Sequence, residues 1–495
     1  MSTVLGIDLG TQSLKVVFYD GDLRRVVASE SAPLSLDQDG SGRAEQRVAW
    51  WVEGLHKAML AVDPEIRRSA TAIGVSGQQH GLVALDRDGH ALFPVKLWCD
   101  TTCAAECDEI MANLGGEAAC IDKLGNPILP GYTAGKIRWF RKYDPENYAR
   151  MVRVLLPHDY LNFYLTGQAG MEFGDASGTG FFDVRRRAWS DEVLRAIDPD
   201  RDLRDCLPPL FLSDEPIGTL RASVAQQLGL PAGIPVSVGG GDNMMGAIGT
   251  GNVVPGTITM SLGTSGTLYA FSDQPRVDPE GRIAAFCSSN DGWLPLLCTM
   301  NCTVSTEWMR RLFSLDIDAF EAHIAKADCG AGGVLTLPFF HGERTPNLPK
   351  AKGCLLGLDG DNGKPENLLR SAVEGATFSL FAGIEILTSL GCSTREIVLT
   401  GGGARSATWR QIVADIGNLP VTVLDQSEGA AMGAALQALG LLAGVRGDAF
   451  AALVRDHLSR NEPLCCTPND SAVDIYRDLF AEYRKAVALA IDLYR

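Results

Sequence analysis

VLGIDLGTQSLKVVFYD, residues 4–20, returns about 250 residues later as TITMSLGTSGTLYAFSD, residues 257–273. Each copy sets Leu-Gly-Thr between two runs of β-prone apolar residues, the pattern of a strand, a tight glycine turn and a returning strand. Glycine at such a turn lets the backbone bend sharply and approach a ligand with no Cβ in the way. Amides and hydroxyls around Gly10, Thr11 and Gln12 in the first copy, and around Gly263 and Thr264 in the second, can cradle an anion. One copy alone reads as an ordinary hairpin, but two in one chain point to a repeated unit.

Two further echoes follow in the same order. AIGVSGQQHG (72–81) corresponds to EIVLTGGGARS (396–406), each a strand running into glycine. IPVSVGGGDNMMGA (234–247) corresponds to LPVTVLDQSEGAAMGA (419–434). Three elements in constant order predict a duplicated α/β unit. About 150 residues separate the second and third echoes in the first half and only about a dozen in the second. The first half therefore carries a large insertion, of the kind that builds a substrate site.

At 495 residues the chain exceeds one ordinary core, and two domains are expected, residues 1–246 and 247–495. A composition 46% hydrophobic and 21% charged is that of a packed globular protein. The net charge of −16 argues against a nucleic-acid surface, which needs clustered Lys and Arg. Any phosphate ligand must then be held by backbone amides or a metal. The apolar run AAMGAALQALGLLAGV (430–445) falls short of the ~20 residues of a membrane span and reads as a buried helix. The opening MSTVLGIDLG has no basic segment of a secretory leader, so the expectation is a cytoplasmic protein with no membrane partner. Thirteen cysteines without a paired framework predict free thiols. Cys99, Cys103 and Cys107 have helical spacing but no fourth ligand, and read as one helix face rather than a metal site.

Two aspartates carry the chemistry. Asp8 lies between Ile7 and Leu9, and a carboxylate in an apolar strand is costly unless a cation is near. Beside an anion-binding turn, that cation is Mg²⁺ with its water shell, carried by a nucleotide. Asp242 follows three glycines and opens the helical stretch NMMGAIG. Aspartate is favoured as an N-cap, but the glycine run exceeds what a cap needs and predicts a carboxylate exposed in a cleft. There is no G-x-x-x-x-G-K-[ST], no kinase-type H-R-D or D-F-G set, and no dinucleotide fingerprint, so the nucleotide fold is another one.

On these residues the chain resembles the actin, sugar kinase and Hsp70 superfamily, with two ribonuclease-H-like α/β domains flanking a catalytic cleft. More narrowly it resembles the FGGY carbohydrate kinases from end to end. YTAGKIRW (132–139) is similar to one family signature, and GCLLGL (353–358) running to SAVE (371–374) to the other. GQQHG at Gln79 and His80, EQRVAWW (45–51), LLPHDYL (155–161), GDASGT (174–179), GGGDN (239–243) and GERTP (342–346) resemble the branch that phosphorylates D-xylulose. Gln79, Cys99 and His158 depart from that branch, where Met, Asn and Lys are frequent. The resemblance implies ATP-dependent phosphorylation of D-xylulose. A kinase for another ketose or polyol (ribulose, arabinitol, glycerol) and a non-catalytic sugar-sensing ATPase are the alternatives.

The same resemblance implies roles for residues. Asp242 would be the general base, and Asp8 would place Mg²⁺. Thr11, Gln12, Gly263 and Thr264 would hold the phosphates, with Gly402 and Gly403 against the adenosine. Gln79, His80, Trp98, Asp100 and Asn243 would contact the sugar. ATP and Mg²⁺ are the implied cofactors and a homodimer the implied assembly. Domain closure is expected, with a hinge near residues 243–256, where Gly246, Gly249, Gly251 and Pro255 interrupt regular structure.

Overall fold

The first hairpin forms as the spacing predicts: Thr3–Leu9 pairs antiparallel with Ser13–Asp20, and the Gly10 amide bonds the Ser13 carbonyl across the turn. In the computed structural model, residues 3–425 and 429–494 are described. The strand Thr3–Leu9 is buried on both faces, which explains its nearly unbroken apolar run. Ala70–Gly77 lies parallel to it on the other side. The first sheet runs Pro216–Thr219, Pro235–Ser237, Ala70–Gly77, Thr3–Leu9, Ser13–Asp20, Arg25–Pro33, with the short Gly240–Gly241 also paired to Ala70–Gly77. The second runs Val421–Thr422, Thr394–Thr400, Gly256–Leu262, Gly266–Ala270, Trp293–Thr299, Ala284–Cys287. Five strands of each sheet, from Pro235–Ser237 to Arg25–Pro33 and from Val421–Thr422 to Trp293–Thr299, repeat in order and in sense of pairing, with Pro216–Thr219 and Ala284–Cys287 as additions at opposite edges, so the duplication read from the echoes is real. Gln426, Ser427 and Glu428 of the third echo lie outside the described residues.

Each sheet is covered by a helix from the other half of the chain. The helix Gly429–Ala443, buried from Ala431 to Gly440, lies on the first sheet and not on the second. A Cβ at Gly6 would stand 2.0 Å from the Ala431 carbonyl oxygen, and one at Gly74 would stand 2.0 Å from that of Ala434. The helix Asp242–Gly249 in turn packs toward the second sheet, where Met244 and Ala247 join Tyr269, Leu294 and Leu296. The two helices cross in contact: a Cβ at Gly433 would lie 1.8 Å from the Met245 carbonyl oxygen, and one at Gly249 would lie 2.2 Å from that of Gly429.

The expected break at residues 243–256 is found only in its second half, where Gly251, at φ 77°, and Pro255 follow the helix. Gly246 and Gly249 do not interrupt structure; they lie inside a regular helix and give room to Tyr269 and Gly429. That helix runs unbroken through residue 246, the place of the expected domain division.

The insertion, residues 82–233, folds around its own buried cluster including Leu82, Ile110, Phe140 and Phe181. It is joined to the second sheet at an edge strand, where the Asn126 amide donates to the Ala285 carbonyl (2.9 Å) and accepts from the Ala285 amide (2.7 Å). The thirteen cysteines are free thiols. Cys99 departs from the expected helix face: it precedes the helix Ala104–Leu114, for which Cys103 is the N-cap. Among the described residues no helix is long and apolar enough to cross a membrane.

The crossing predicts a packing penalty larger than a propensity gain. Alanine in a helix interior is favoured over glycine by about 1 kcal/mol, yet Gly433→Ala drives a methyl into backbone. A net loss of about 1–3 kcal/mol is expected from overpacking, read from the denaturant midpoint. Gly40→Ala, where a Cβ meets nothing within 4 Å, should leave the midpoint unchanged.

Candidate active site

The site lies at the carboxyl ends of three neighbouring parallel strands. Register places Asp8 beside Ser76 and Ser76 beside Gly240, so the strand end of each echo meets the others in one row. Ligands bind at such ends because the chain turns away there and leaves a crevice. The Ser76 hydroxyl donates to Asp8 Oδ1 (2.8 Å). Two residues beyond Gly240, Asp242 opens the helix Asp242–Gly249, partly exposed. The glycine run leading to it is held by Gln437 of the crossing helix. The Gln437 side chain accepts from the Ser237 hydroxyl and the Gly239 amide (2.8 Å each) and donates to the Gly239 carbonyl (3.1 Å).

The charges here are unbalanced. Burial pushes the Asp8 carboxyl above its ordinary range, against the hydrogen bond from Ser76. Asp242 is pushed up to about 7, first by burial, then by the negative charges of Asp8 and Asp175. Its Oδ1 accepts from the Asn243 amide (2.8 Å) and from Asn243 Nδ2 (3.0 Å). That Nδ2 also donates to Gln79 Oε1 (3.0 Å), so Gln79, Asn243 and Asp242 form one hydrogen-bonded group.

His80 adjoins them in a left-handed backbone conformation, φ 69°. Its carbonyl is fixed by Thr133 Oγ1 (3.1 Å) and the buried Lys136 Nζ (2.8 Å). The ring packs on Tyr132 (centroids 4.8 Å apart) and Phe286 (5.7 Å). Gly178 must be glycine, since a Cβ there would strike the imidazole at 2.3 Å. Burial, with Lys136 and Arg344 nearby, holds the His80 pKa well below its usual value, so the ring is neutral. Trp98, 36% exposed, donates through Nε1 to the Thr11 hydroxyl (3.0 Å) and so ties the insertion to the first hairpin.

Asp100, expected at the sugar, is fully buried, and its carboxylate accepts from the Ala44 amide (2.9 Å), the Thr102 amide (3.0 Å) and Lys96 Nζ (3.4 Å). With its acceptors so engaged it braces the wall that carries Trp98.

On the phosphate side, the Thr11 hydroxyl proton is committed to Gln78 Oε1 (3.1 Å). The hydroxyl itself therefore serves the turn's shape. Gln12 and Thr264 are exposed at the two turns. The second turn is tied to the helix Thr303–Leu312, whose Thr303 and Cys302 amides bond the Gly263 (2.9 Å) and Thr264 (3.1 Å) carbonyls. The glycine loop after Thr400 runs against that same turn, because Gly401, at φ 87°, has room for no Cβ beside the backbone of Leu262. Gly402 is exposed with open space over its Cα, whereas Gly403 is buried against Leu262 and Trp409. Gly403 is thus required as glycine by packing.

Lys136, Tyr132, Phe286 and Asp175 are functional candidates that sequence reasoning did not single out. Lys136 and Tyr132 were in plain view inside YTAGKIRW, and Asp175 between the small residues of GDASGT. Taken together, a carboxylate with its pKa near 7 stands beside a second carboxylate, a neutral imidazole and two amide side chains, with two glycine turns in the same chain. Such a site can take a proton from a hydroxyl and hold a polyanion.

Comparison with known proteins agrees with this geometry. Residues 3–249 match the N-terminal domain of the FGGY family of carbohydrate kinases, and residues 258–441 the C-terminal domain. A xylulose kinase of Haemophilus influenzae is 43% identical over 487 residues, covering 97% of this chain and 98% of its own. The xylulose kinase of Escherichia coli K12 is 36% identical, covering 88% of this chain and 89% of its own. The crystal structure of xylulose kinase from Bifidobacterium adolescentis superposes with a TM-score of 0.82 at 27% identity, covering 97% of this chain and 99% of the other. Matched across both halves and over nearly its whole length, the chain belongs to the FGGY family of carbohydrate kinases.

Proposed function

We propose that this protein transfers the γ-phosphoryl group of ATP to a hydroxyl of D-xylulose, giving D-xylulose 5-phosphate and ADP. The observation that carries the reading is Asp242, a cleft carboxylate at a helix start with its pKa lifted to about 7. Relatives named xylulose kinase match nearly the full length of the chain, which supports this sugar over other polyols.

In this reading Asp242 accepts the proton of the attacking hydroxyl while the new O–P bond forms and the bond to the ADP oxygen breaks. A base whose pKa lies near the working pH serves best, because it is both deprotonated and basic enough. His80, Gln79 and Asn243 orient the sugar, and the neutral imidazole suits an uncharged hydroxyl. The turns at residues 10–12 and 263–264, with Gly402, hold the nucleotide through backbone amides. Phosphoryl transfer needs mostly positioning and charge neutralisation, which a rigid cleft supplies.

Mg²⁺ fits this residue set. Asp8 raises the charge cost of Asp242, the pattern a divalent cation relieves, and Asp8 keeps oxygen ligands of the kind Mg²⁺ takes. Bound with the nucleotide, the ion supplies neutralisation of the polyphosphate. We assign sugar binding to residues 1–246 and nucleotide binding to residues 247–495. The protein is read as a cytoplasmic homodimer with no nucleic-acid partner, in keeping with its charge of −16.

Purified protein with ATP and Mg²⁺ should phosphorylate D-xylulose in preference to D- and L-ribulose, glycerol, gluconate and arabinitol. Asp242→Asn should lower kcat by about 10²- to 10⁴-fold while nucleotide still binds. Turnover of a different sugar would keep the mechanism and overturn the substrate; bound nucleotide with no sugar turnover would favour a sugar-sensing ATPase.

The raised pKa of Asp242 sets the pH profile. Below about 7 the carboxyl is protonated and takes no proton, so activity is lost as pH falls. kcat/KM, which reports the free enzyme, should rise about tenfold from pH 6 toward pH 8 with an apparent pKa near 7. A flat profile over that range would remove Asp242 from the role of base.

A further inference from the structure

Directly behind the sugar-facing wall lies a buried acidic cluster that the reaction as described does not use. Asp159, Glu172 and Asp175 are 0%, 2% and 0% exposed. Two of them have local work to do. Asp159 accepts from the Leu156 amide (2.8 Å) at the start of the helix Pro157–Thr166, and Glu172 accepts from the amides of Gly174 (2.6 Å) and Asp175 at the start of the next helix.

Asp175 is placed differently. Its Oδ2 meets His158 Nδ1 at 2.6 Å, and its Oδ1 is buried without a hydrogen-bond partner. The charge that opposes the cluster is His158, fully buried, with Nε2 3.0 Å from Asp159 Oδ1. On the cleft side Asp175 interacts with Gln79. Gln79 Nε2 is likewise buried and lacks a closed hydrogen bond, while Oε1 of the same amide takes Asn243 Nδ2. Gly241 backs the amide so closely that a Cβ there would stand 2.8 Å from Gln79 Cγ.

We propose that His158 and Asp175 are positioning residues for phosphoryl transfer: their buried ion pair fixes the Gln79 amide with Nε2 toward Asp175 and Oε1 toward Asn243. An amide has two orientations of similar shape, and only one presents its oxygen to Asn243. Asn243 Nδ2, a donor, requires that oxygen if it is to hold the sugar side and steady Asp242 together. The opposite end of the amide then needs an acceptor, and an ionised carboxylate is acceptor-only.

Burial raises the Asp175 carboxyl above its ordinary range, and the hydrogen bond and charge of His158, then the Gln79 amide, work against that and favour its ionised form. His158 can supply the charge because the surrounding carboxylates, Asp159 first, outweigh its own burial and lift its pKa to about 9. A buried His158–Asp175 pair beside the Gln79 amide, with one carboxylate oxygen and the amide nitrogen both left without a closed hydrogen bond, is a costly arrangement to keep for packing alone. The proposal rests on the reading of Gln79, Asn243 and Asp242 given above.

A double-mutant cycle on the full-length protein separates positioning from support. His158→Gln and Asp175→Asn are each made in the wild-type and Gln79→Leu backgrounds, with kcat, KM for sugar and for ATP, and melting temperature measured. In the wild type each should lower kcat/KM for the sugar about tenfold or more, leaving KM for ATP within about twofold, and in the Gln79→Leu background each should cost less than about twofold further. His158→Lys, which keeps the cation, should recover most of the loss. Equal losses in both backgrounds, or losses shared equally by sugar and ATP, would overturn the proposal. Should His158→Gln not fold, Asp175→Asn decides by the same criterion. A wild type that phosphorylates no sugar would sink the reading of the site itself, whereas an active wild type with an additive cycle sinks only this inference.

Discussion

The structure depends on two helices pressed together with no side chains between them. Gly433 meets the Met245 carbonyl, and Gly249 meets that of Gly429. Gly6 and Gly74 bring the same Gly429–Ala443 helix down onto the first sheet. Because each helix covers the sheet of the other half, the two halves cannot separate without exposing both cores. Close packing at this crossing fixes how the strand ends of the two sheets face each other, since packed interiors transmit displacement rather than absorb it. The catalytic arrangement follows from it: Asp242 is the first residue of one crossing helix, and Gln437 of the other holds the glycine run that leads to it. A displaced crossing would move Asp242 and the strap that orders it together.

What was legible in the sequence had local causes. A strand, glycine turn and returning strand follow from residues within twenty positions, so both hairpins and their repetition could be read directly. Asp8 and Asp242 were legible because a carboxylate among apolar residues or after three glycines calls for a reason. The helical exchange was not legible, since Gly246 and Gly249 as letters fit a helix breaker as well as a helix contact, and only the partner surface decides. The bonding of Asp100 was hidden for a similar reason. The family resemblance placed it near the sugar, while Lys96 and the Ala44 amide, the latter 56 positions away, hold its carboxylate. Gly403 looked like its neighbour Gly402 and differs only in facing Leu262 and Trp409. The pairing of His158 with Asp175 spans 17 positions and two helices, and nothing in either motif alone announces it.

A cleft meant for a polyanion would be expected to carry cations, and this one gathers carboxylates. Burial, and then the charges of Asp8 and Asp175, raise Asp242 to about 7, and His80 is held neutral by burial and by Lys136 and Arg344. The arrangement makes sense if phosphate is held by backbone amides at the glycine turns, which carry no net charge and need no side chain to order. The carboxylates are then free to act on protons. An isolated aspartate has its pKa near 4 and is a poor base at neutral pH. Burial and two like charges bring it close to 7, where one proton can be taken from a hydroxyl. Burial first, and after it the charges of Asp8 and Asp175, is therefore the source of the basicity that the proposed role of Asp242 needs.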